Sequence, residues 1–339
     1  MFSFNNDYSE GAHPRILDAM CKYNLEQNNG YGEDAHSLKA NEYIKRHIGR
    51  DDVDIHFIPG GTQTNMLVIS SFLRPHHCVI SADTGHINVH ETGAVEATGH
   101  KVVTIPHIDG KITVEGIAEV QNYHSDEHMV LPRMVYISDT TELGTIYTKD
   151  ELSQISEYCK NNNLLLFLDG ARIASALTCK ANDLTLHDIA NLVDVFYIGG
   201  TKNGALLGEA LVICNDDLKE DFRYLIKHRG AMMAKGFVMG IQFEALFQDD
   251  LYFELGKHAN LMAEKIGASF MDCGYGFYAP AQTNQLFPIL TNDMIEKLSK
   301  KFLFSIQKKI DESHSAVRFD TSWATSEESV NALINEIQF

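Results

Sequence analysis

The feature that most constrains this chain is an alternation of short apolar runs with longer amphipathic stretches. The runs at 55–58, 78–81, 102–105, 134–138 and 164–169 are each followed by apolar residues at helical spacing, at 62–73, 90–98, 114–122, 149–161 and 173–177. A sixth run at 195–198 is answered by a returning run at 210–214. Strand–helix alternation of this kind builds βαβ units, so the expectation is a mostly parallel sheet covered by helices. The runs are apolar throughout rather than every second residue, as strands buried on both faces are.

Ahead of the alternation stand a polar arm, two predicted helices at 14–24 and 37–48, and a loop rich in Gly and Asn at 28–33. After Arg223 the texture changes. Residues 237–265 are apolar at helical spacing and predict one or two long helices. Strand-like pieces follow at 276–279, 285–288 and 316–319, with a helix predicted at 292–306. The 339 residues exceed what one core usually fills. We therefore expect a large α/β domain with its N-terminal arm over 1–247 and a smaller α+β domain over 248–339.

Charge and cysteine usage exclude several function classes. With 46 acidic against 28 basic residues, the net charge of −18 repels nucleic acid and anionic membrane surfaces, so neither is an expected partner. The six cysteines form no C-x-x-C pair and suit thiols in a reducing compartment, read as cytoplasmic. The first residues lack the basic and apolar regions of an export signal, and no apolar run approaches the roughly 18 residues of a membrane span. No H-E-x-x-H or similar spacing appears among the 16 histidines, so no metal is expected.

The strongest chemical signal is the run Leu164 to Leu168, which ends abruptly in Asp169, Gly170, Ala171 and Arg172. Open α/β sheets bind ligands at the carboxyl ends of their strands, so Asp169 and Arg172 are delivered to that edge. Further along, the run ending at Ile198 leads through Gly199, Gly200 and Thr201 to Lys202, which can be held near the same crevice. An amine and a carboxylate so placed match the needs of pyridoxal phosphate: a Schiff base at the lysine and a partner for the protonated ring nitrogen. A strand-end aspartate that caps a helix and a lysine in a surface turn would look the same in isolation. A phosphate cradle shifts the balance: Gly60, Gly61 and Thr62 lead from a strand into a helix, where backbone amides, a hydroxyl and the helix N-terminus favour an anion. Between cradle and carboxylate, His86 can stack on the pyridine ring and carry protons.

Assembled, these residues resemble the fold-type I pyridoxal-phosphate enzymes, and among them the threonine aldolases of the β-eliminating lyase group. The likeness covers nearly the whole chain, through Asn6-Asp7, Tyr31-Gly32-Glu33-Asp34, Gly60-Gly61-Thr62, Gly85-His86-Ile87, Asp169-Gly170-Ala171-Arg172, Lys202 and Val317-Arg318-Phe319. The resemblance implies that Arg172 and Arg318, with Asn6, grip the α-carboxylate of an amino-acid substrate. It implies that Gly61, Thr62 and Lys235 hold the phosphate, and that Tyr31 reaches into a neighbouring subunit of a homodimer or homotetramer. The implied reaction is retro-aldol cleavage of L-threonine, L-allo-threonine or a related β-hydroxy-α-amino acid to glycine and an aldehyde. A β-eliminating lyase on the same scaffold and a non-catalytic pyridoxal-phosphate-binding protein are the alternatives. The chain departs from the pattern at Asn6, where the family has serine, and at 230–235, where it has a glycine-rich arginine segment. The base for the β-hydroxyl is left open among His86, His124, His128 and water.

Overall fold

Residues 1–338 are described by a computed structural model of the chain. One sheet gathers β1 (Asp54–Ile58), β2 (His77–Ala82), β3 (Lys101–Ile105), β4 (Leu131–Ser138), β5 (Leu165–Asp169), β6 (Val195–Gly199) and β7 (Glu209–Ile213). Their order is β1-β7-β6-β5-β4-β2-β3. Strands β2 to β6 pair in parallel, while β7 runs antiparallel to both neighbours. That reversal follows from the short link between β6 and β7, because a parallel return needs a crossover of roughly a dozen residues or more.

Successive side chains on these strands enter two different cores. Val135, Ile137, Leu166, Leu168, Phe196 and Ile198 belong to one, with the helices Ala35–Ile48 and Phe237–Phe247 over it. Met134, Tyr136, Phe167, Val195 and Tyr197 belong to the other, under the helices Gly61–Phe72 and Phe222–His228. Burial on both faces is why the runs read as continuously apolar. Truncating one such residue, Leu168 for example, should cost about 2–5 kcal/mol.

A second sheet holds β8 (Gln285–Leu286), β9 (Ile289–Thr291), β10 (Ser305–Lys309) and β11 (His314–Asp320). Strand β11 pairs antiparallel with all three of the others. The helix Leu251–Asp272 packs against both the helix Ile173–Thr178 and the helix Glu327–Gln338. The N-terminal arm begins in this region: Phe2–Ser3 pairs in parallel with Phe302–Leu303, and Phe4 is buried against Phe302 and Phe319. From there the arm carries Asp7 toward the carboxyl ends of β5 and β6.

The stretch at 237–265 is two helices, Phe237–Phe247 and Leu251–Asp272, parted where Asp250 takes a left-handed φ of 58°. Two other helical expectations change. The helix expected at 292–306 stops at Ser299, because Phe302–Leu303 is captured by the arm and Ser305–Lys309 by β11. The helix expected at 90–98 is replaced by short turns, His86–Val89 and Glu96–Thr98, with left-handed Thr92 and Gly93 between them. Among the described residues no helix is long and apolar enough to cross a membrane.

Candidate active site

Two glycines let the tips of β5 and β6 meet. A Cβ on Gly170 would lie 1.9 Å from the Tyr197 carbonyl oxygen, and one on Gly199 would lie 2.3 Å from that of Ala171. Without side chains there, the two backbones run in contact past the strand ends. Asp169 and Lys202 therefore open into one cavity of about 430 Å³, whose wall also includes Gly61, Thr62, His86 and Arg172.

Asp169 is buried and fully partnered. Its Oδ2 accepts from the Tyr136 hydroxyl at 2.5 Å and Asn65 Nδ2 at 3.2 Å, and its Oδ1 accepts from the Tyr197 hydroxyl at 2.5 Å and the Ala171 amide at 3.0 Å. Burial opposes its ionisation, but the nearby His86 and these donors hold the carboxyl below its ordinary value. It is thus an anion fixed at the cavity floor.

Lys202 follows the turn that Glu209 clamps. Glu209, at the head of β7, accepts from the Gly200 amide at 2.9 Å and the Thr201 hydroxyl at 2.8 Å. Burial pushes this carboxyl up to about 7. The Lys202 amine is pushed below its ordinary value by burial and by Arg172, against the pull of Asp7, Asp169 and Glu209. An amine so depressed is a better nucleophile near neutrality than a surface lysine.

Arg172 pairs with a buried carboxylate. Its Nε and Nη2 donate to Asp7 at 2.6 and 3.0 Å, and Asn284 Nδ2 also donates to Asp7 at 3.0 Å. Asp7 thus takes one edge of the guanidinium and leaves Nη1 for a ligand. Arg318, on β11, lies beside the same arm, donating from Nη2 to the Asn5 carbonyl at 3.3 Å and pairing through Nε with Asp320 at 3.2 Å. Asn6 is half-buried and accepts from the Tyr8 amide and the Ser9 hydroxyl. It turns the arm so that Tyr8, not Asn6 itself, lines the cavity.

The cradle is the start of the helix Gly61–Phe72. Gly60 stands at its N-cap with no side-chain cap, and a Cβ there would meet open space. Uncapped N–H groups and the helix dipole make that rim attractive to an anion. On the adjoining loop, His86 Nδ1 donates to Glu91 Oε1 at 2.8 Å. Asn65 Nδ2 reaches the same Glu91 oxygen at 2.7 Å and so links the imidazole to Asp169. Glu142 lies beside them, accepting from the His86 amide at 2.8 Å.

Not every predicted residue enters this cavity. Lys235 is exposed and does not line it, because its loop is tied to 30–32 instead: the Tyr31 amide donates to the Ala234 carbonyl at 3.1 Å, and Gly236 packs onto Gly32. Tyr31 is 45% exposed on that flank, with the Lys227 ammonium 4.8 Å from its ring centre. His124 caps the helix Val114–Tyr123 and lines a separate groove near Lys101, and His128 is exposed. Sequence reasoning missed Glu91, Glu142, Glu209, Tyr136 and Tyr197. An acid opening the buried run 209–213 was the one visible sign of Glu209.

A half-buried lysine and a buried aspartate at adjacent strand tips, under an uncapped helix start, define the class: an α/β enzyme of the fold-type I pyridoxal-phosphate architecture. The beta-eliminating lyase family matches residues 6–292, and the chain belongs to that family. The low specificity L-threonine aldolase of Pseudomonas aeruginosa is 32% identical over 341 residues, spanning 99% of this chain and 96% of its own length. The solved structure of Leishmania major threonine aldolase is 52% identical and superimposes with a TM-score of 0.98, covering 100% of this chain and 99% of that one. A Thermus thermophilus aspartate aminotransferase mutant, 12% identical, shares the fold with a TM-score of 0.74 over 99% of this chain and 90% of its own.

Proposed function

We propose that this protein carries pyridoxal phosphate on Lys202 and cleaves L-threonine, L-allo-threonine or a related β-hydroxy-α-amino acid to glycine and an aldehyde. The observation that carries the reading is the meeting of the Lys202 amine, the Asp169 carboxylate and the uncapped helix start at Gly60 on one cavity.

The residues present fit the cofactor. Lys202 offers a half-buried amine of lowered basicity for the aldehyde. Asp169 offers an anion for the ring nitrogen, although all four of its acceptor positions are taken by donors. A ring N–H bound there would take the place of one of them, and Tyr197 and Ala171 are the donors whose residues line the cavity. Gly60, Gly61 and Thr62 offer amides and a hydroxyl to the phosphate.

When bound, the cofactor supplies an electron-accepting ring conjugated to the substrate's Cα. The chain's own residues do the rest. Arg172 Nη1, with Arg318 across the arm, binds the α-carboxylate and so decides which Cα bond stands perpendicular to the ring. Asp7 keeps Arg172 aimed, because the contact is bidentate and the carboxylate is buried. His86, oriented by Glu91, covers the other side of the cavity.

Tyr31 and the loop bearing Lys235 form one flank outside their own cavity, which supports a homodimer or homotetramer in which that flank completes a neighbour's phosphate seat. All six cysteines are unpaired among the described residues, which supports a reducing compartment, the cytosol. A substrate panel tests the reaction. Glycine plus aldehyde from allo-threonine is the expected result, whereas pyruvate and ammonia from serine, with no aldehyde from any β-hydroxy amino acid, would replace it with β-elimination.

A further inference from the structure

Glu142 belongs to no motif, yet the fold sets it on the wall of the cavity that holds His86, Arg172 and Lys202. Its Oε1 accepts from the Ser138 hydroxyl at 2.7 Å and from the His86 amide at 2.8 Å. Two bonds to one oxygen fix the carboxylate against the loop that carries the imidazole. Among the described residues, no donor from another residue reaches Oε2. A carboxylate with one oxygen anchored and the other free is built to accept a proton from a ligand rather than to hold the fold together.

We infer that Glu142 is the general base that takes the β-hydroxyl proton of the substrate. The inference rests on the reaction proposed above. In that step the proton passes to Glu142 Oε2 and the O–H electron pair becomes the second bond of the aldehyde carbonyl. The Cα–Cβ bond breaks, and its pair stays on Cα, the carbon whose charge the cofactor accepts. A proton later delivered to Cα completes glycine.

The alternatives on the page are weaker. His124 and His128 lie away from the cavity. His86 has one nitrogen committed to Glu91, and His90 is pushed below its ordinary value by burial and by His86. Burial, with Asp169 adding to it, raises the Glu142 carboxyl above its ordinary value, although the bonds from Ser138 and His86 pull the other way. A raised carboxylate is a stronger acceptor at neutral pH than an ordinary one. The charged groups around it are Asp169 from β5, Arg172 just beyond, Lys202 from the turn after β6, and His86, His90 and Glu91 from the adjoining loop.

The test uses the pyridoxal-phosphate-loaded enzyme and the Glu142→Gln variant, whose amide oxygen can still accept from Ser138 and His86. Cleavage of L-allo-threonine should fall about 10²–10⁴-fold in kcat, and the acidic limb of the kcat/KM profile should vanish. Glycine has no β-hydroxyl, so its titration of the cofactor's visible absorbance should give the same dissociation constant in both proteins, within about threefold (about 0.7 kcal/mol). Glu142→Asp should regain part of the rate and restore the acidic limb. Cleavage by Glu142→Gln within about fivefold of the parent (about 1 kcal/mol) would overturn the assignment, as would a glycine response lost together with cleavage. If the parent itself gives no spectral response to glycine, the proposed reaction fails first, and the two failures are told apart.

Discussion

Asp139 offers a sharp test of the electrostatics beneath the site. It is the first residue after β4, its amide donates to the Asp169 carbonyl at 2.9 Å, and it begins the segment that ends in Glu142. The side chain is 2% exposed and its Oδ1 has no partner. Burial pushes the carboxyl up from 3.8 to about 8, with only a backbone bond from Tyr147 and the distant charge of Lys111 pulling down. A carboxyl raised on folding keeps its proton in the native state while the unfolded chain loses it, so stability is full below about pH 4 and declines as pH rises through about 8. Each pH unit in that window costs about 1.4 kcal/mol, so by pH 7 the total is about 4 kcal/mol. Asp139→Asn removes the titration. Its new N–H₂ carries a fixed cost of roughly 1–3 kcal/mol if unpartnered, the same at every pH. The assay is urea unfolding of parent and variant at pH 5, 6, 7 and 8, at one protein concentration so that any assembly contributes equally. The variant's advantage should grow by about 1.4 kcal/mol per unit from pH 5 to 7 and level off near pH 8. A difference independent of pH across that range would refute the reasoning, whatever its absolute size.

Three other perturbations probe the remaining parts of the site. Lys202→Ala should abolish the visible absorbance of added pyridoxal phosphate and all aldehyde release, while far-ultraviolet circular dichroism stays that of the parent; a retained band would place the cofactor on another amine. Asp7→Ala strands the Arg172 guanidinium, whose side chain is 13% exposed, and should lower unfolding stability by about 3–5 kcal/mol with a raised KM for the amino acid. A loss under 1 kcal/mol in the same urea assay would show that Asp7 does not hold Arg172. Gly61→Val adds a branched side chain whose Cβ starts 3.2 Å from the Tyr197 hydroxyl, so affinity for pyridoxal phosphate, read by equilibrium dialysis, should fall at least about tenfold (about 1.4 kcal/mol). Unchanged affinity would move the phosphate seat elsewhere.

What the sequence could show depended on whether a residue's role is marked by its neighbours along the chain. Asp169, Arg172 and Lys202 stand where an apolar run breaks into glycine, and that break is itself the strand end that binds ligands. Gly60 to Thr62 mark the change from strand to helix periodicity. Glu91, Glu142 and Glu209 have no such marker, since an acid in a polar loop reads as a solvated one until the fold shows what donates to it. Asp7 is still less legible, because its partner Arg172 lies 165 residues away. The helix expected at 292–306 failed for the same reason: its second half alternates well enough for a strand, but only the arm and β11 decide the matter.

The acid excess that sets the net charge at −18 therefore has two populations. Most of it is surface charge, but a few carboxyls are buried around the cavity, and there the number and charge of the donors sort them. Asp169, with four donors and the charge of His86 nearby, is held below its ordinary value despite burial. Asp320, with Gln285 and Arg318 against a neighbouring Asp7, rises to about 6. Glu209, with two neutral donors, rises to about 7, and Asp139, with a single backbone bond, to about 8. Similar burial gives opposite outcomes because each charge-assisted donor offsets part of the desolvation cost. The fold can thus keep an anion at the cavity floor with carboxyls of raised proton affinity close by.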